Sequence, residues 1–147
     1  MSGKSNYLQQ GVLALIFNAT ALSNIADNAA VSPLTNLYVA LHTADPTNGG
    51  NQSSNEISYT SYARVAVART AGGWTVSGSS PTQVSPAANI TFPTSTGGAG
   101  GTASFWSVGT ASSGAGNLLY TGPISPTINV VSGVTPELTT SSTVTED

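Results

Sequence analysis

The sequence contains no cysteine, so disulfides, thiolate zinc sites, iron–sulfur clusters and cysteine nucleophiles are all excluded, and the redox compartment stays open. Charge is almost as scarce. Only 6% of the residues are charged, against roughly 25% in ordinary soluble domains, so Ser, Thr, Asn and Gly must solvate the surface. Three basic residues, Lys4, Arg64 and Arg69, and a formal net charge of -3 leave no electropositive stripe. The chain is therefore expected to bind neither nucleic acid nor a membrane surface. Long apolar runs are also missing. The longest, Gly11 to Phe17, falls short of the ~20 residues that span a bilayer. With Lys4 before it and Ala19-Thr20-Ala21 after it, the run faintly resembles a signal peptide, but its spacing assigns it to an amphipathic helix.

What is present starts with that helix. Ser2 or Ser5 can cap it, and Leu8, Val12, Leu15, Ile16 and Ala19 recur with helical period, which predicts one helix over 6–18. That stripe is expected to be the buried face. Leu13 and Phe17 widen the apolar surface beyond it, so Tyr7, Leu8, Val12, Leu13 and Phe17 are candidate partner contacts.

The rest of the chain reads as strands. Leu37, Val39 and Leu41 alternate with Tyr38, Ala40 and His42, the pattern of a half-buried strand that stops at Asp45-Pro46. The polar tract Thr47 to Asn55 has nothing apolar to bury and is expected to be an exposed loop with a mobile tip. Further strands are expected over 62–69, 74–77, 88–92, 103–109, 117–121 and 128–131, with Gly78 to Ser85 as polar loop. Glu137 to Thr145 has high β propensity and little to bury. It is expected to be an edge strand or an arm ordered against a neighbour, with Leu138 and Val144 as its contacts.

About eight short strands separated by Gly, Pro and Ser, with no helical pattern between them, predict an all-β fold. We expect an antiparallel two-sheet sandwich of jelly-roll type, with one short N-terminal α-helix. The organisation expected is a single domain over 1–147, with the helix at 6–18, the sandwich at 37–131 and the arm at 137–147.

Chemistry has little foothold. His42 is the sole histidine, and Asp45 and Glu56 stand at no metal-ligand or glycosidase spacing, so His42 reads as a strand residue bonded to a nearby backbone group or hydroxyl. There is no G-x-S-x-G elbow, and Gly97 to Gly101 lacks the Lys-Ser/Thr that a phosphate-cradling loop needs. No enzyme activity, cofactor or metal is expected. Arg64 is the charge that stands out, because an arginine within a strand pattern requires a carboxylate. Asp45 or Glu56 can supply it, Arg64 with Asp45 being the candidate pair.

Met1 to Leu8 opening a short helix, then Leu37 through Pro46, Tyr62-Ala63-Arg64-Val65 and Ile90-Thr91-Phe92-Pro93, together resemble small structural proteins of tailed bacteriophages, often labelled tail fibre proteins. In some podovirus-like virions similar proteins are capsid cement or decoration proteins with a jelly-roll sandwich. The resemblance implies a virion protein on the capsid exterior that binds the major capsid protein and itself, as a dimer in preference to a trimer. The alternative it implies is a tail or tail-fibre component that binds other tail proteins or a host glycan, for which Trp74 and Trp106 are the candidate aromatic platforms.

Overall fold

The computed structural model describes residues 5–22, 25–26, 28–29, 32–78 and 81–146. The order of elements is α1 (Asn6–Asn18), β1 (Asn36–His42), β2 (Val65–Ala68), β3 (Trp74–Ser77), β4 (Thr82–Pro86), β5 (Ile90–Thr91), β6 (Gly101–Gly109), β7 (Leu118–Val130), β8 (Glu137–Leu138) and β9 (Val144–Glu146). One short helix and a majority of strands make the class all-β with an N-terminal helix, as the sequence predicts. The strands form three sheets, ordered β2-β1-β6-β7, β3-β4-β9 and β5-β8. The pairings β1 with β6, β6 with β7, β3 with β4, β4 with β9 and β5 with β8 are antiparallel.

The chain divides into two compact units, each made of segments distant in sequence. The first comprises Met1–Asn36, Val67–Asn89 and Thr139–Asp147, the second Leu37–Ala66 and Ile90–Leu138.

In the first unit, Ser5 caps α1 by accepting the Leu8 N–H at 3.3 Å, and Ala19 ends the helix in the left-handed conformation at φ 52°. Ser2, the other candidate cap, lies outside the described residues. The helix packs on β3 and β4. Its buried line is Gln9, Leu13 and Phe17, four residues apart, whereas Leu8, Val12, Leu15 and Ile16 are only half-buried. This reverses the predicted faces. Both stripes have helical period, and what selects between them is Trp74, edge-on to Phe17 at 4.8 Å, together with Thr82, whose hydroxyl donates to Gln9 Oε1. Arg69 then caps the helix C-terminus from a distant part of the chain, donating to Leu15 O at 2.8 Å, Ile16 O at 2.6 Å and Leu34 O at 2.7 Å. A cation on these carbonyls satisfies acceptors that the helix cannot, and it opposes the negative end of the helix dipole.

β4 is a strand where a loop is expected. Thr82-Gln83-Val84-Ser85-Pro86 offers one strong hydrophobe, yet β4 lies between β3 and β9 with Thr82, Val84 and Pro86 buried. Of the edge strand or arm expected at the C-terminus, the structure shows the edge strand: β9 lies at the edge of its sheet and pairs Val144 with Val84, and β8 in the second unit pairs Leu138 with Ile90.

In the second unit, β1 is an inner strand flanked by β2 and β6. The sequence implies one buried face. Instead both are covered, Val39, Ala40, Leu41 and His42 all being inaccessible. The predicted strands at 117–121 and 128–131 are one edge strand, β7, running through Pro123 and Pro126. Proline reads as a break in sequence, but at an edge its missing N–H removes a donor that faces no neighbour. A bulge at Leu119 interrupts the β6–β7 register and leaves that side chain partly exposed.

Candidate functional site

The second unit contains a cluster of polar side chains that holds the chain's longest loop. Arg64 is at its centre, its side chain 2% exposed. Its Nε donates to Glu56 Oε1 and its Nη2 to Glu56 Oε2, both at 2.7 Å, a bidentate pair that neutralises a charge otherwise costly to bury. The remaining donors reach Ala111 O at 2.9 Å, Gly114 O at 2.7 Å and Ser53 Oγ at 3.3 Å. The Tyr62 hydroxyl donates to Glu56 Oε1 at 2.9 Å while accepting the Leu41 N–H at 3.1 Å. Glu56 holds the Arg64 guanidinium in its charged form by direct hydrogen bonding, and burial beside Glu56 pushes the Tyr62 phenol well above its usual value.

The candidate pair of Arg64 with Asp45 is therefore corrected: the salt bridge goes to Glu56. Asp45 precedes proline in a turn, and its Oδ1 accepts the Thr47 N–H at 2.8 Å, the ordinary work of a turn aspartate. Glu56 instead bridges to His42 at the end of β1, which sets its carboxylate over Arg64.

The loop is tied down over Gln52 to Asn55, while Asn48 and Gly49 at its tip are exposed. Gln52 is inaccessible to solvent, accepting the Ala111 N–H at 2.9 Å with Oε1 and donating to Tyr38 O, while its own N–H donates to Ala115 O at 2.8 Å. Glycine is required beside it. A Cβ on Gly109 would lie 2.1 Å from Gln52 Cδ, and one on Gly116, at φ 51°, would lie 2.2 Å from Gln52 Oε1. No pattern in an Asn/Ser-rich stretch distinguishes a buried glutamine from an exposed one, so composition alone reads this loop as free. The only signal was Gly109 and Gly116, two glycines bracketing a second polar turn.

His42 is sealed beneath the loop. Its Nδ1–H donates to Ser54 O at 2.9 Å, and its Nε2 accepts from Ser107 Oγ at 2.7 Å. A histidine on a serine hydroxyl is the core of a nucleophilic pair, but here both residues have zero exposure and the distal nitrogen holds a backbone carbonyl instead of a carboxylate. The pair positions the loop against β1 and β6. Burial pushes the His42 pKa below its usual value. Among the described residues, no group of three or more His, Asp or Glu side chains is arranged to hold a metal, and no helix is long and apolar enough to cross a membrane.

The candidate partner contacts divide sharply. Leu13, Phe17, Leu138 and Val144 are buried in their own chain, which corrects their assignment as contacts, because exposing them would cost the core that they form. Tyr7 remains 58% exposed, and Leu8 and Val12 are half-exposed on the outer side of α1. Trp74 and Trp106 are buried too, so neither presents a ring face to a glycan.

Residues 3–146 match the family described as podophage GP4 fiber I protein gp80. No curated protein matches the chain.

Proposed function

We propose, given that this chain belongs to the podophage GP4 fiber I protein gp80 family and is thus a phage virion structural protein, that it works as a fibre component of the virion. The observation that carries this reading is a family match spanning almost the whole chain, with "fiber" in its description. The geometry supports a mechanical role. A fibre module must present a surface of fixed shape, and here the long polar loop after β1 is held by a bidentate ion pair and a buried glutamine. In this reading the module assembles with copies of itself and with other virion proteins through the outer side of α1, where Tyr7, Leu8 and Val12 retain apolar surface.

A second reading is capsid cement bound to the major capsid protein. It is favoured by the absence from the sequence of any repeated or coiled-coil shaft segment. Copy number and position separate the two. Labelling this chain in intact particles and imaging them should show few copies clustered at one vertex. Hundreds of copies spread over the head would replace the fibre reading with cement.

A further inference from the structure

Asn48 and Gly49 are the two central residues of a turn closed by the Gly50 N–H donating to Thr47 O at 3.1 Å. Both are exposed. Among the described residues, neither the Asn48 amide nor the Gly49 N–H has a hydrogen-bond partner. A side chain placed on Gly49 would meet nothing within 4 Å. The side chains of Gln52, Ser53 and Asn55 in the same loop, by contrast, all hold hydrogen bonds.

We propose that Asn48-Gly49 is a self-modification site, at which Asn48 deamidates in the folded protein without any enzyme. The Gly49 backbone nitrogen, having lost its proton to solvent base, attacks Asn48 Cγ. A Cγ–N bond forms, the Cγ–Nδ2 bond breaks, and ammonia leaves with the proton. Water then opens the five-membered succinimide at either carbonyl, yielding aspartate or, with the chain rerouted through the side chain, isoaspartate. No oxidant or co-reactant beyond water is needed. Glycine matters because it places no Cβ beside the attacking nitrogen and lets the backbone rotate toward Cγ.

The other asparagines supply the contrast. Asn51 Oδ1 accepts the Ser53 N–H at 2.9 Å, Asn55 Nδ2 donates to Asp45 O at 2.9 Å, and Asn89 Oδ1 accepts the Thr140 N–H at 3.2 Å. None of these precedes glycine, nor does any other asparagine in the sequence. Selectivity for Asn48 therefore rests on its successor and, over Asn51, Asn55 and Asn89, also on its free side chain.

The product alters a defined patch. Asn48 lines a hollow of about 320 Å³ with Leu118, Leu119, Tyr120 and Thr121, all uncharged. Deamidation places a carboxylate on its rim and makes a chain of formal charge -3 one unit more negative. In an assembly of many copies, ageing would convert a neutral hollow into a set of anionic ones, wherever in the virion the chain resides.

The test is to hold the intact folded protein in mildly alkaline buffer at physiological temperature and map peptides over several days. A gain of about 1 Da at Asn48, split between two chromatographic forms, is expected before any other asparagine changes. Gly49→Val should slow this about tenfold or more, because branching at Cβ crowds the attacking nitrogen, and the open space at that position keeps the variant folded. Asn48→Asp provides the reference for the aspartate product. The proposal is overturned if another asparagine converts first, if Gly49→Val converts at the parent rate, or if only the denatured chain reacts.

Discussion

In the unit that carries α1, the buried apolar side chains are Leu13, Phe17, Leu22, Trp74, Val84 and Val144, the Gln9–Thr82 hydrogen bond is the buried polar contact beside them, and Arg69 contributes by covering helix carbonyls. In the unit that carries the long loop, apolar strands are joined by a neutralised Arg64–Glu56 pair, a sealed His42 and a buried Gln52. The first is held mainly by non-directional burial, which tolerates adjustment. The second depends on donors and acceptors at fixed positions, where one missing partner leaves another group stranded in low dielectric. With so few charges in the chain, two of its three cations serve as internal ties, and a surface of hydroxyls and amides needs none of them.

The sharpest way to break this comparison is Arg64→Ala. It strands Glu56 and frees Ala111 and Gly114 carbonyls, so a loss of about 3–5 kcal/mol is expected in chemical denaturation. Hydrogen exchange should show protection lost first over 51–56 and 109–116; uniform loss across the chain would mean the polar cluster is not a local tie. Leu13→Ala, in the apolar unit, should cost about 2–5 kcal/mol and should leave exchange in the pinned loop unchanged.

A smaller effect comes from pH. Burial lowers the His42 pKa, so the unfolded chain binds this proton more readily than the folded one. Stability is then full above the unfolded value of about 6.5 and falls as pH drops through it toward the lower folded value. Denaturation midpoints measured across that window should slope downward with acid, and His42→Gln should flatten them. Ser5→Ala is the mildest change, removing a single exposed cap for about 1 kcal/mol and lowering helical signal without touching the loop unit.

The helix bounds, the third strand over Trp74–Ser77 and the strand character of 37–42 were legible because each rests on local periodicity and capping. β4 was not, since a central strand with one hydrophobe is supported by its neighbours instead of its composition. The sequence of β7 reads as two strands because proline marks a break unless the strand lies at an edge. Arg64 was legible as a charge requiring a carboxylate, but the choice between Asp45 and Glu56 depended on which of them the turn at Pro46 carries away.

Sequence alone thus determined what the chain could not be built from, and which segments are helix or strand: absent thiols, scarce charge and local period are properties of single stretches. Only the tertiary structure decided which of two apolar stripes on α1 faces inward, which acid meets Arg64, and that a polar loop without a hydrophobe is fixed. Those outcomes depend on pairs of groups far apart in the chain, and neither member of such a pair carries information about the other.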